Sequence, residues 1–267
     1  MKKVKLWITD IDGTIVNYDG TCTDEMRDVI KNILNTDTKI VLATGRMFMG
    51  AYHAACRFNI KTPVVCYQGA VVRDENKVLW NALVNNDIAK EVINYLKSKN
   101  IHTHVYNDDT LYIDDDNKKI MDLYCNGRGT TYKVVDSLCD LELHSVPKIL
   151  AVIEDGKIME SIKKELTEKY KGILTIVQST SYYLEITDKN ASKGSALNFL
   201  KKYWNLEDDE VIASGDQDND IDMVKNAGIK ICVGNNSEEL KKIADYYCKS
   251  VNSNELVDYL KRFILCE

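Results

Sequence analysis

The sequence predicts an α/β chain: a parallel-sheet core interrupted by an inserted α+β module. Three observations predict it. Apolar strand-like runs alternate with segments of helical period from the N-terminus to Leu79. That rhythm then gives way to closely spaced strand-like segments, and it resumes at Lys193. A chain of 267 residues is also long enough to bury one large core or two moderate ones.

Taken in order, Val4–Thr9 reads as a buried strand, because both faces of a parallel sheet are covered and its strands become continuous apolar runs. Met26, Val29, Ile30, Ile33 and Leu34 recur on one face of a helix. The run KIVLA at Lys39–Ala43 is the next strand, Phe48–Phe58 the next helix, and Val64–Tyr67 a further strand. Strands separated by helices in this way predict parallel pairing through crossovers.

After Leu79 the pattern changes. Ile88, Val92, Tyr95 and Leu96 mark a helix, and Ile158, Ile162 and Leu166 mark another. Around them fall six short segments of strand composition: His102–Tyr106, Thr110–Ile113, Thr130–Val135, Lys148–Ile153, Gly172–Val177 and Tyr182–Thr187. From Lys193 come a helix at Ser195–Tyr203, a strand at Glu210–Ala213, a helix at Ile221–Lys225, a strand at Ile229–Val233 and a last helix at Asn254–Phe263. The expected division is a core of residues 1–80 and 190–267 with an insertion of residues 81–189.

Composition narrows the class. Charged residues at 28% and hydrophobic ones at 45% describe an ordinary globular protein. A net charge of −6 argues against a nucleic-acid partner. The apolar run of MKKVKLWITD stops at Asp10, too soon for a secretory core or a membrane span, so the expected compartment is the cytoplasm with no membrane partner. Eight scattered cysteines without a CxxC pair read as small buried hydrophobes rather than a disulfide or zinc framework. The oligomeric state leaves no signal.

Open parallel sheets bind ligands at the carboxyl ends of their strands. Asp10 and Asp12 directly follow the first strand in LWITDIDGTIV, Thr44-Gly45-Arg46 follow KIVLA, and Gly215-Asp216 follow VIAS. These clusters therefore meet at one rim, joined by Lys193 at the start of a helix. Carboxylates beside core-forming runs are expensive to desolvate unless a cation or hydrogen bonds compensate them. Asp10, Asp12 and Asp216 offer hard oxygens suited to Mg²⁺, and Thr44 and Lys193 offer donors to phosphate oxygens. A carboxylate can also act as a nucleophile, and a second acid nearby can carry the proton of the leaving group.

Four motifs now stand in order: DIDGT at Asp10–Thr14, ATGR at Ala43–Arg46, SKG at Ser192–Gly194 and GDQDND at Gly215–Asp220. Together they resemble those of the haloacid dehalogenase-like phosphatases, in the Cof-type (subclass IIB) branch, over nearly the whole chain. The resemblance implies a Rossmann-like core with an inserted α+β cap of the C2 type and an Mg²⁺-dependent hydrolase of small phosphate monoesters. Sugar phosphates or phosphorylated cofactors are the implied substrates. Carried over by position, it implies that Asp10 is the nucleophile and a metal ligand. Asp12 is the general acid/base, with its backbone carbonyl on the metal, and Asp216 is the third ligand. Ile11, Thr44, Gly45, Lys193 and Asn219 hold phosphate, and Asp220 supports Lys193 or a metal-bound water.

Arg46 stays open between a substrate contact and a surface ion pair. A phosphomutase, or less readily a non-catalytic phosphate-binding module, are the alternatives on the same fold. The chain departs from the family pattern at Gln68-Gly69-Ala70, at Val233-Gly234-Asn235-Asn236 and at Val251–Leu256.

Outside the motifs, His102 and His104 alternate on a strand and share a face, and read as ordinary residues of the insertion. The acids Asp108, Asp109, Asp114, Asp115 and Asp116 read as solvated ends of a hairpin strand.

Overall fold

A computed structural model describes residues 2–125 and 131–267. The chain divides into two compact units, Met1–Trp80 with Ser192–Glu267, and Asn81–Ala191.

The first unit opens with β1 (Leu6–Thr9), α1 (Asp24–Leu34), β2 (Lys39–Leu42), α2 (Phe48–Arg57), β3 (Val64–Cys66), β4 (Val71–Arg73) and β5 (Val78–Asn81). Helix α1 shows why such segments form. The Thr23 side chain caps its first turn by accepting from the Met26 amide, Asp24 and Glu25 favour the positive end of the dipole, and Met26, Val29, Ile30 and Ile33 bury one stripe.

The second unit holds α3 (Asn86–Ser98), β6 (His102–Asn107), β7 (Thr110–Ile113), α4 (Lys118–Cys125), β8 (Tyr132–Val134), β9 (Ile149–Val152), α5 (Gly156–Lys169), β10 (Leu174–Gln178) and β11 (Tyr183–Asp188). The first unit then resumes with α6 (Lys193–Trp204), β12 (Val211–Gly215), α7 (Ile221–Lys225), β13 (Ile229–Val233), α8 (Glu238–Ile243), β14 (Tyr246–Cys248) and α9 (Glu255–Leu260).

In the first unit five strands pair in the order β14-β13-β12-β1-β2, every pair parallel. The chain proceeds from β1 outward to β2 on one side and from β12 outward to β14 on the other. The strand order therefore reverses between β1 and β12, which places a ligand crevice at their carboxyl ends. Leu6 and Ile8 of β1, Val41 of β2, Val211 and Ala213 of β12, and Ala196, Leu197 and Leu200 of α6 make the core. Strands β3, β4 and β5 form a separate three-stranded sheet.

In the second unit six strands run in the order β10-β11-β9-β6-β7-β8, antiparallel except for the parallel pair β7–β8. One face packs on α3 and α5 through Val92, Leu96, Val105, Ile149, Ile162 and Leu184. His102 and His104 do share a face, with their Nε2 atoms 3.1 Å apart. Burial, then the neighbouring His102 and the Lys148 ammonium, depress His104 to about 3, so it is neutral. Burial lowers His102 as well, against the pull of Asp115.

The structure corrects several sequence expectations. Asp114 is not a solvated strand end: its carboxylate is buried, pairs with Lys97 Nζ at 2.6 Å and accepts from the Leu138 amide at 3.2 Å. Strand Thr130–Val135 shortens to β8, and its first residue lies outside the described residues. Elements α4, β4, β5, α8 and β14 were not anticipated. Cys66, Cys232 and Cys248 are buried, while Cys56 and Cys266 are exposed and so are not the buried hydrophobes expected.

Candidate active site

Asp10 follows β1 directly, and its amide donates to the Ser214 carbonyl at 3.0 Å, so the parallel ladder with β12 carries into the loop. Beneath it a buried relay fixes the strand ends. Trp7 Nε1 donates to Ser214 Oγ at 2.9 Å, Ser214 Oγ to Thr9 Oγ1 at 2.7 Å, and Thr9 Oγ1 to the Asp10 carbonyl at 2.9 Å. The chain then turns tightly, with the Ile11 carbonyl accepting from Ile15 and Val16. Gly13 makes that turn at φ +91°, in the left-handed region, and a Cβ there would lie 2.4 Å from Asp216 Oδ2.

Lys193, the first residue of α6, is fully buried. Its Nζ donates to Asp10 Oδ1 at 2.5 Å and to Asp220 Oδ1 at 2.6 Å. The other Asp220 oxygen accepts from the Asp216 and Gln217 amides at 3.0 and 3.1 Å. Asp220 is thereby engaged at both oxygens. Asp10, Asp216 and Asp220 each place a carboxylate oxygen within 4.8 Å of the others, and all three residues are buried. Two of the three acids thus share one ammonium, with the third beside them.

The electrostatics follow from that count. Burial pushes Asp10 up to about 8; the Lys193 ammonium opposes this while Asp220 and Asp216 add to it. Burial also raises Asp216, against the hydrogen bond from Tyr18. For Lys193 burial works to lower the pKa, and the Asp10 and Asp220 carboxylates outweigh it and raise it. The lysine therefore stays charged, while burial and the neighbouring acids disfavour the charged form of Asp10.

Asp216 is held by three donors: Thr14 Oγ1 to Oδ1 at 3.1 Å, and Tyr18 OH and Asn236 Nδ2 to Oδ2 at 2.7 and 2.9 Å. Burial and the Asp216 hydrogen bond hold the Tyr18 phenol above its ordinary range. Asp12 lies apart from this cluster. Arg46 grips it with Nε on Oδ2 at 2.8 Å and Nη2 on Oδ1 at 2.5 Å, with both side chains less than a third exposed. Arg46 is thus a half-buried partner of Asp12, not a surface ion pair. Its amide donates to Thr44 Oγ1 at 3.2 Å.

The loop after β3 closes the other side. Tyr67 and Gln68 both adopt left-handed backbone, at φ 54° and 59°. Non-glycine residues there carry a conformational cost of about 1 kcal/mol or more, which neighbouring contacts must offset. The Tyr67 amide donates to the Arg46 carbonyl and the Gln68 amide to the Thr44 carbonyl, which ties this loop to the one after β2. Gln68 Oε1 accepts from Asn219 Nδ2 at 2.8 Å, and its Nε2 lies 2.6 Å from where a Cβ on Gly45 would stand. Gln68 therefore joins Gly45 and Asn219.

The structure brings Asp10, Asp216, Asp220 and Lys193 into one buried cluster. It sets Thr44, Gly45, Asn219 and the Asp12–Arg46 pair on the loops at the same strand ends. Sequence reasoning missed Tyr18, Thr14 and Asn236 as partners of Asp216. It saw Gln68 and Asn236 only as departures from a pattern.

The family of haloacid dehalogenase-like hydrolases matches residues 7–260. The chain belongs to it. A 5-amino-6-(5-phospho-D-ribitylamino)uracil phosphatase of Bacillus subtilis is 25% identical over 281 residues, covering 96% of each chain. The crystal structure of TM0651 from Thermotoga maritima superposes on this hydrolase with a TM-score of 0.86, 29% identity and 97% of both chains covered. The subclass IIB sugar phosphatase BT4131 shares its fold, with a TM-score of 0.83 at 18% identity over 97% of this chain and 99% of that one. This haloacid dehalogenase-like hydrolase is a phosphatase. Among its described residues no helix is long and apolar enough to cross a membrane.

Proposed function

We propose that the protein is an Mg²⁺-dependent phosphatase that hydrolyses small phosphate monoesters through an aspartyl-phosphate on Asp10. The observation that carries this reading is the convergence of Asp10, Asp216 and Lys193 from β1, β12 and α6. The Asp10 and Asp216 oxygens lie within 4.8 Å of each other, and Lys193 Nζ is bonded to Asp10.

The donor set fits a hard divalent ion. Asp220 has the Lys193 ammonium on one oxygen and two backbone amides on the other, whereas the donors to Asp216 from Thr14, Tyr18 and Asn236 are neutral. That favours Asp10 and Asp216 as the carboxylates that would hold the metal, with the Asp12 backbone carbonyl as the remaining protein donor. When bound, Mg²⁺ would neutralise charge on the phosphoryl oxygens and on the acids.

The chain's own groups do the rest. Asp10 Oδ attacks phosphorus as the bond from phosphorus to the ester oxygen breaks, and Asp12 delivers its proton to that oxygen. Asp12 then takes a proton from water, whose oxygen attacks the same phosphorus and returns Asp10 as a carboxylate. Lys193, Thr44, Asn219 and the Ile11 and Gly45 amides hold the phosphoryl group as charge shifts across it. In the resting arrangement both Asp12 oxygens are on Arg46, so substrate must draw Arg46 away before Asp12 can act.

The chain leaves the first unit after Trp80 and returns at Ser192, one residue before Lys193. The Bacillus subtilis relative is named for a ribitylamino-uracil phosphate and the structural relative for sugar phosphates, so phosphorylated polyols and sugars are the substrate classes to examine first. The test is phosphate release from a panel of phosphorylated metabolites with Mg²⁺ and with chelator. Release that needs Mg²⁺ and no sugar bisphosphate supports hydrolysis. Equal release in chelator, or release only with a bisphosphate, rejects it.

A further inference from the structure

Tyr18 has an odd disposition. Its residue is 64% exposed, yet its hydroxyl reaches a buried carboxylate, Asp216 Oδ2, at 2.7 Å. A ring left in solvent gains little from burial, so what the residue contributes is its tip.

The proton on that tip has one destination. A phenol carries a single hydrogen and accepts through its oxygen lone pairs. Gln217 Nε2 donates to the Tyr18 oxygen at 2.8 Å, and Asn236 Nδ2 lies 3.2 Å from it. Amide nitrogens can only donate, which commits the phenolic hydrogen to Asp216. Donors feeding the oxygen also polarise the O–H and strengthen the bond it makes.

The backbone holds this tyrosine in place. Asn17 pairs with Thr21 within the turn and with Asn252 Oδ1 at 2.8 Å, while Asp19 Oδ1 accepts from the Thr21 amide and hydroxyl. The Tyr18 hydroxyl and Asp216 both sit where a Cβ on Gly13 would collide, at 2.7 and 2.4 Å, so the glycine leaves them room.

We infer that Tyr18 is a positioning residue that fixes the Asp216 carboxylate and thereby sets the affinity of the divalent-cation site. The inference rests on the proposed role of Asp216 as a metal ligand. Groups that hydrogen-bond a metal ligand orient it, and losing one typically weakens metal binding roughly 10–100-fold. Asp216 would keep Thr14 on Oδ1 and Asn236 on Oδ2 but lose the shorter of the two bonds to Oδ2.

The experiment titrates MgCl₂ into the full-length protein by calorimetry, and follows thermal unfolding in chelator. It compares the parent with Tyr18→Phe, Asp216→Asn and Tyr203→Phe, the last an exposed phenol on α6. The expected result is that D216N abolishes binding, Y203F leaves it unchanged, and Y18F weakens it roughly 10–100-fold with an unfolding midpoint in chelator equal to the parent's. Y18F binding as tightly as the parent, or more tightly, overturns the inference and leaves the metal reading standing. A drop in midpoint that accompanies the weakening also overturns it, since the hydroxyl would then be structural. If the parent binds no Mg²⁺, or D216N binds like the parent, the metal reading falls and this inference with it.

Discussion

Replacing Lys193 by Met keeps the length and most of the volume of the side chain, so it removes the ammonium without opening a cavity. What remains is Asp10 and Asp220, buried and without their shared cation. Asp220 keeps two amide donors, so its loss is partial; Asp10 loses the strongest group favouring its charged form. Breaking a buried ion pair by removing one partner costs about 3–5 kcal/mol. K193M should be less stable than the parent by about that amount at a pH above the Asp10 value of about 8, in chelator.

The deficit should shrink as pH falls. A carboxyl whose folded pKa is raised above its unfolded value of 3.8 binds more protons in the folded state across that interval, so stability is gained as pH drops through it and lost as pH rises. K193M raises Asp10 further and should steepen this dependence. Urea unfolding followed by circular dichroism, extrapolated linearly at several pH values, gives both numbers. A variant as stable as the parent above pH 8, with the same pH slope, would refute the reasoning, because the acids would then be compensated by something other than Lys193.

Three further outcomes are expected. Asp10→Asn preserves the shape but not the nucleophile, so phosphate release should fall to background; turnover at the parent rate would reject an aspartyl-phosphate. Because Arg46 must leave before Asp12 can act, Arg46→Ala should keep or raise the parent's ratio of kcat on alkyl phosphates to kcat on 4-nitrophenyl phosphate; a loss confined to alkyl phosphates would show that Arg46 instead holds Asp12 in place for proton delivery. His104 sits at about 3 when folded against 6.5 unfolded, so the unfolded chain binds the extra proton and stability is lost as pH falls below 6.5. Relative to His104→Gln, the parent should lose at most about 2 kcal/mol between pH 6.5 and 5 in urea unfolding, and parallel pH profiles would show that His104 is not the group responsible.

The core sheet was legible because its strands are buried on both faces. Val4–Thr9 and KIVLA carry no alternation, and the polar residues that interrupt them mark strand ends. The elements that escaped are short or half exposed. Strand β5, VLWN, has no residue fully buried, and β4 and β14 span three residues each, too few for a period to register. Helix α8 is six residues long, and the sequence before α4 is dominated by acids. Asp10, Thr44 and Asp216 were legible because each lies within two residues of a strand end, and Lys193 because it opens a helix. Tyr18 and Asn236 were not, because they reach Asp216 through tips of side chains on loops whose spacing carries no signal. Gln68 was visible as a departure, yet its bridge from Gly45 to Asn219 depends on two successive left-handed residues that only the folded loop reveals.

The buried acids are hard to explain by stability. Apolar residues of similar volume in place of a buried ionic group are often neutral or stabilising. Asp10 and Asp220 instead share one ammonium with Asp216 close by, and burial raises both Asp10 and Asp216. Counting formal charges, three acids and one lysine leave two negative charges in excess, which is the charge of a single divalent cation. The neighbouring donors reinforce the bias: Thr14, Tyr18 and Asn236 all favour the ionised form of Asp216, the form that binds metal. A site built only to hold Lys193 would need neither Asp216 nor those three donors. Their presence is why the cation reading has more physical support than a buried ion-pair network, and why loss of Mg²⁺ binding in D216N is the observation on which the two part.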